Sequence, residues 1–198
     1  MRFIYIIVTL FLFLGCTPVA PKIVEYNLHL KLKQKVFSET NCKKSSLKVG
    51  QSFSSNALKS LDMHYGLGDY KHLVFSQALW VNSPNKVISK EITNYIRETE
   101  LFKNVQIYKS RTRNSLLLET DIEDFMQYFS EDENSSYANI KINFTLIDAR
   151  TSSVISTKTF SEKEIVMMKN ADGGVIALSK ALEKLLNKSG VWLEEVCR

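Results

Sequence analysis

Three histidines, a run of alternating acids and three cysteines carry most of the reactive side chains in this chain. His64 and His72 flank Gly66-Leu67-Gly68-Asp69, so a hairpin there would bring them close, with Asp62 or Asp69 alongside. That is half of a metal or acid–base site. His29 lies far off in sequence, and a polar hairpin explains the pair as well. Glu119, Asp121 and Glu123 alternate, with Asp124 next to them, and paired carboxylates can work as general acid and base. No cation stands near them in sequence, and a solvated strand face is the simpler reading. Glu131-Asp132-Glu133-Asn134 lacks the ligand spacing and the glycine of a calcium loop. Gly66-Leu67-Gly68 opens on a strand, which makes it a turn rather than a nucleotide cradle. There is no Gly-x-Ser-x-Gly, no P-loop and no His-Glu-x-x-His. The expectation is a protein with no metal, no cofactor and no catalytic residue.

The cysteines say more. Phe3 to Leu14 is almost wholly apolar and follows Met1-Arg2. Twelve helical residues rise about 18 Å, short of the roughly 30 Å of a bilayer core. The segment has the shape of a signal-peptide core. Gly15 and Cys16 end it, and Phe13-Leu14-Gly15-Cys16 resembles the lipobox of bacterial lipoproteins. The expectation is cleavage before Cys16 and acylation of its sulfur and new amino group. Several acyl chains give stable anchoring where one does not. Thr17, rather than Asp, follows the cysteine, which resembles sorting to the outer membrane. The fold then faces the periplasm, where Cys42 and Cys197 can pair. Closing so long a loop contributes about 5 kcal/mol in the chain-entropy model.

These residues need a scaffold. The chain has 198 residues, 44% hydrophobic and 11% aromatic, with 7 Gly and 3 Pro, which excludes disorder and low-complexity architecture. Its net charge of +5 fits solubility and attraction to anionic headgroups; no nucleic-acid partner is expected. The division is a leader over 1–15, a lipidated tether over 16–22 and one domain over 23–198. Strict alternation over 23–37 predicts a long first strand. Short strands follow near Leu47 and Val49, over 58–65 and over 70–80. Ser83-Pro84 starts a helix, with Ile88, Ile92 and Ile96 on one face. Strands near 105–107, 116–125, 140–146 and 154–167 precede a last helix, for which Asp172 is the expected cap. The fold class is α+β: a mixed, largely antiparallel sheet of about six or seven strands carrying two helices. Trp80 closes a strand just before the helix cap. It either plugs the helix–sheet joint or contacts a partner or lipid, and Tyr65 and Tyr70 flank the same hairpin.

The stretch LKSLDMHYGLGDYKHLVFSQALW, the helix SPNKVISKEITNYIRETELFKNV after it, and Phe102-Lys103-Asn104-Val105 together carry a resemblance. With the lipobox and the hairpin of Tyr137 to Thr159, the chain resembles the ABC-type transport auxiliary lipoprotein family, which includes the PqiC/YmbA lipoproteins. Trp80 stands where that family ends the strand before its first helix. The resemblance implies a non-enzymatic accessory to a lipid-transport system. The implied partners are a mammalian-cell-entry (MCE) domain protein and an ABC permease and ATPase, with phospholipid or another apolar molecule as cargo. An outer-membrane lipoprotein serving a cell-wall or surface-assembly partner is the alternative.

Overall fold

The computed structural model describes residues 21–32 and 40–198. The leader, Cys16 and residues 33–39 lie outside them. Nine strands form one sheet, two or three more than the sequence pattern counts. The hub is β7 (Leu116–Phe129). Along one edge it pairs antiparallel with β8 (Ser136–Asp148), and β8 pairs antiparallel with β9 (Ser153–Ile165). Its other edge is shared, in parallel, by three short strands: β2 (Ser46–Val49), β3 (Phe53–Ser54) and β4 (Asp62–Leu67). β6 (Asn104–Ile107) flanks β2. β5 (Lys71–Trp80) returns antiparallel on β4. β1 (Val24–Tyr26) runs parallel to the end of β5. The long ladders are antiparallel and the short ones mostly parallel.

Alternation decides which face is core. Ala138, Ile140, Ile142, Phe144 and Leu146 of β8 are all buried, whereas Tyr137, Asn139, Lys141, Asn143 and Thr145 point the other way. Both helices cover the first face. α1 (Pro84–Glu98) buries Ile88, Ile92, Tyr95 and Ile96. α2 (Ala171–Val196) buries Leu178, Leu182, Leu185 and Leu186, with Trp192 set edge-on against Phe144 and Phe160. The Asn170 side chain caps it by accepting the Gly173 N–H at 3.0 Å, which corrects the expected Asp172 cap; Asp172 lies inside the first turn. Gly190 lets the helices approach: a Cβ there would meet the Tyr95 hydroxyl at 2.2 Å. Burial pushes that phenol up to about 12. The opposite face is a polar lattice, in which Asn143 donates to Thr159 and Thr157 to Thr145.

The long first strand is the main departure from the sequence reading. Among the described residues of that stretch only Val24–Tyr26 joins the sheet; 33–37 lie outside them. Residues 27–32 leave it and run extended along the helices. The His29 N–H donates to Ser179 of α2 and the Lys31 N–H to Glu183. Leu30 and Leu32 lie toward Glu91, Asn94 and Arg97 of α1. Leu28, Leu30 and Leu32 pack on the core. The alternation is real, but its buried side meets helices, and side chains of α2 stand in for a neighbouring strand.

Cys42 and Cys197 are joined, with Cα atoms 5.3 Å apart and a sequence separation of 155. Backbone reinforces the junction, since the Asn41 N–H donates to Cys197 O at 2.9 Å. The Cys42→Ser/Cys197→Ser double variant is expected to lose up to about 5 kcal/mol of stability. Denaturant unfolding of that variant beside the oxidised wild type checks the value; equal midpoints would contradict it.

Candidate contact surface

The three aromatic positions singled out in the sequence sit in three environments. Trp80, at the end of β5, is 5% exposed and tilts against Phe125 at 6.0 Å. It is a core residue, so the reading of Trp80 as a partner or lipid contact is corrected. The strand turns its side chain under the sheet with Ala78, where the helix layer covers both. Tyr65 is half-buried in an aromatic group with Phe75 (4.4 Å) and Phe129 (5.4 Å, edge-on). Tyr70, in the turn between β4 and β5, is 92% exposed. One hairpin carries all three, but they do not cluster. Alternation along β5 and the 10 residues of that strand separate Trp80 from the turn by about 30 Å.

Tyr70 belongs instead to an apolar rim at the turn end of the sheet. Three segments meet there. The Gly68 N–H donates to Phe129 O at 2.9 Å, bringing the β4–β5 turn against the β7–β8 hairpin. The Val166 N–H donates to Ser136 O at 2.9 Å, and Lys169 reaches Asn134 O. The rim exposes Tyr70, Ile165 (77%), Met167 (87%) and Met168. Leu73 and Val74, on opposite faces of β5, are also exposed. The run Ile165-Val166-Met167-Met168 between strand and helix cap was the available sequence signal for it. A hairpin reading of 154–167 absorbed that run as strand.

Next to the rim, the open face holds a polar group formed across strands. Asp124 accepts from Tyr128 at 3.0 Å and from Asn139 at 2.7 Å. The Tyr128 ring lies on Gly66, where a Cβ would come within 2.5 Å of it, and stacks on Tyr137 at 5.2 Å. Lys163 covers the Tyr137 ring at 3.4 Å. Burial pushes the Asp124 carboxyl above its ordinary value, against the opposing pull of Asn139, Tyr128 and His72. Burial, then the Asp124 charge, raises the Tyr128 phenol. The group forms only because β7 and β8 set residues 124, 128 and 139 on one face, and no sequence spacing announces it.

The other candidate chemistry disperses. His64 lies opposite Val74 and His72 opposite Gly66, so the two histidines are diagonal rather than facing. Glu119, Asp121 and Glu123 line the open face, and Glu123 pairs with Lys141 at 2.6 Å across the ladder. Asp132 stays in its own loop, where Ser130 and Asn134 hold its carboxyl down to about 2. Among the described residues no group of three or more His, Cys, Asp or Glu comes together to hold a metal. No described helix is long and apolar enough to cross a membrane.

No family model and no curated protein matches the chain. Solved structures do. A DUF330 protein of Xanthomonas campestris, XCC0632, superposes with a TM-score of 0.77 at 13% identity, over 87% of this chain and 96% of that one. PelC of Paraburkholderia phytofirmans, a dodecamer, gives 0.51 at 12% identity over 81% and 93%. Protein CT253 of Chlamydia trachomatis gives 0.50 at 10% identity over 78% and 98%. At such identities the likeness is one of fold, and the chain shares the DUF330 protein's architecture over most of its length.

Two outcomes follow for this surface. Trp80→Ala is expected to cost about 3–5 kcal/mol as a core truncation, whereas Tyr70→Ala leaves the melting temperature unchanged; thermal melts of both separate core from rim. Asp124 supplies a pH dependence. A carboxyl raised on folding binds its proton preferentially in the native state, so its contribution to stability falls as pH rises from the ordinary Asp range through the raised value. Between about pH 7 and pH 4, wild type should therefore gain stability relative to Asp124→Asn. Parallel slopes for the two proteins would contradict the buried-carboxylate account.

Proposed function

We propose that this chain is a lipid-anchored bacterial accessory protein of an ABC-type lipid-transport system. Anchored through Cys16 at the outer membrane and facing the periplasm, it offers its apolar rim to an MCE-domain partner or to that partner's apolar cargo, and turns nothing over itself. The observation that carries this reading is the rim of Tyr70, Ile165 and Met167. Exposed aromatic and Met side chains on a folded surface mark a candidate contact site, since such residues are enriched at interfaces. β1 pairs with Ala78 to Trp80, at the far end of β5 from the rim. Fold likeness to the DUF330 protein and the lipobox of the sequence support the same reading.

Photo-crosslinkers placed at Tyr70 and Met167 in cells test it, with Asn143 on the polar face as control. Capture of an MCE-domain protein or its permease from the rim positions alone is the expected result. The double variant Tyr70→Ala/Met167→Asp should weaken the isolated complex by more than about 1 kcal/mol without lowering the melting temperature. Capture of a cell-wall enzyme instead would favour the surface-assembly alternative. An unchanged outer-membrane barrier in a deletion strain, together with no transport partner on the rim, would overturn the proposal.

A further inference from the structure

A second apolar cluster surrounds the point where the tether joins the fold. The Val81 N–H donates to Tyr26 O at 3.0 Å, and the Trp80 N–H donates to Leu61 O at 2.7 Å. Val24 lies alongside Ala78 with Ile23 (55% exposed) before it, and Leu61 and Val81 flank the end of β5. Beside them opens a cavity of about 460 Å³ whose walls include Ser52, Phe53, Lys59, Ser83, Asn85 and Lys86. Phe53 is 59% exposed at its lip.

The cavity lies at the N-terminus of α1, a helix of 15 residues with Pro84 in its first turn. The N–H groups of Lys86 and Val87 both go to Ser83 O, and the Ser83 side chain makes no cap bond. The helix end therefore keeps its positive pole without an internal counter-group. Ser83 and Asn85 are each 3% exposed, and the Ser83 Oγ and Asn85 Oδ1 have no hydrogen-bond partner among the described residues. A half-turn of the Asn85 amide presents its NH₂ in place of the oxygen, and the serine hydroxyl donates by rotation. Lys59 and Lys86 add two cations, and no acid lines the cavity. Buried polar atoms without partners, a helix N-terminus and two ammonium groups together select an anion rich in acceptor oxygens.

We propose that this cavity takes the phosphate of a phospholipid headgroup, with the exposed Phe53 at its lip resting on the bilayer surface. That exposed ring is what favours a lipid over a soluble phosphate, because it adds burial that a free ion cannot use. The inference rests on the lipid-anchor reading for its orientation. Eight residues from Cys16 to Val24 span at most about 28 Å, which keeps this face within reach of the membrane.

The full-length protein in phospholipid nanodiscs containing a headgroup spin label provides the test. Amide signals of Phe53, Asn85 and Lys86 should broaden, while those of Tyr70 and Met167 should not. In neutral detergent micelles, inorganic phosphate should shift the Asn85 and Lys86 amides. Lys59→Ala, Lys86→Ala and Ser83→Ala should each weaken that titration about tenfold at an unchanged melting temperature. Phosphate shifts without spin-label broadening would assign the cavity to a soluble phosphorylated ligand and overturn the lipid assignment. Absence of both effects, or broadening centred on the rim, would overturn the site altogether. The mass of Cys16 in the same sample reports anchoring separately: broadening with an unmodified Cys16 would refute the anchor and leave the headgroup site standing.

Discussion

Everything in this fold depends on pairing both edges of β7. A strand of 14 residues in the middle of a sheet presents a backbone donor or acceptor at every position on alternating sides, and buried groups of that kind must be paired. One side is satisfied by the long β8. The other has no single partner of matching length, so β2, β3 and β4 share it in turn. The three short ladders follow one another along β7, at 116–118, 121–122 and 127–129, and the connections between them carry the candidate sites. The β3–β4 connection holds Lys59 beside the start of α1. The β4–β5 turn stands free at the other end and carries Tyr70.

The helices answer a different requirement. A sheet with one apolar face needs one cover, and α2, at 26 residues or about 39 Å, is long enough to run along the β8 and β9 ladders. Its pairs Lys184–Glu164 and Lys188–Glu162 fasten it to β9. α1 covers the lower strands. The seam between the helices is filled by residues 27–32 and relieved at Gly190, so the N-terminal segment acts as a wedge between two helices. Removing water from Leu28, Leu30 and Leu32 is the gain from that placement.

Much of this was legible in the amino-acid order. The Ser83-Pro84 start, the α2 stripe, the β8 alternation and the Cys42–Cys197 bond follow from local chemistry or from compartment. Partners are not local. A period of two marks a side chain's face but not what lies beside the backbone, so residues 27–32 read as strand and the parallel ladders of β2, β3 and β4 stayed hidden. The contact surface was half legible for the same reason. Tyr70 was identifiable as a turn aromatic, whereas the burial of Trp80 and the exposure of Met167 depend on which layer covers each. Asp124, Tyr128 and Asn139 meet only after two strands have chosen their register.

The bond between Cys42 and Cys197 encloses β2 through β9 and both helices. A chain emerging N-terminus first exposes Cys42 long before its partner exists. Through that interval the thiol is open to mixed disulfides with whatever oxidant it meets. The bond can form only once the residues after α2 have been made, so its yield is a chemical readout of how many chains brought the two ends of the fold together. The feature behaves as a latch that can close only when the chain is finished.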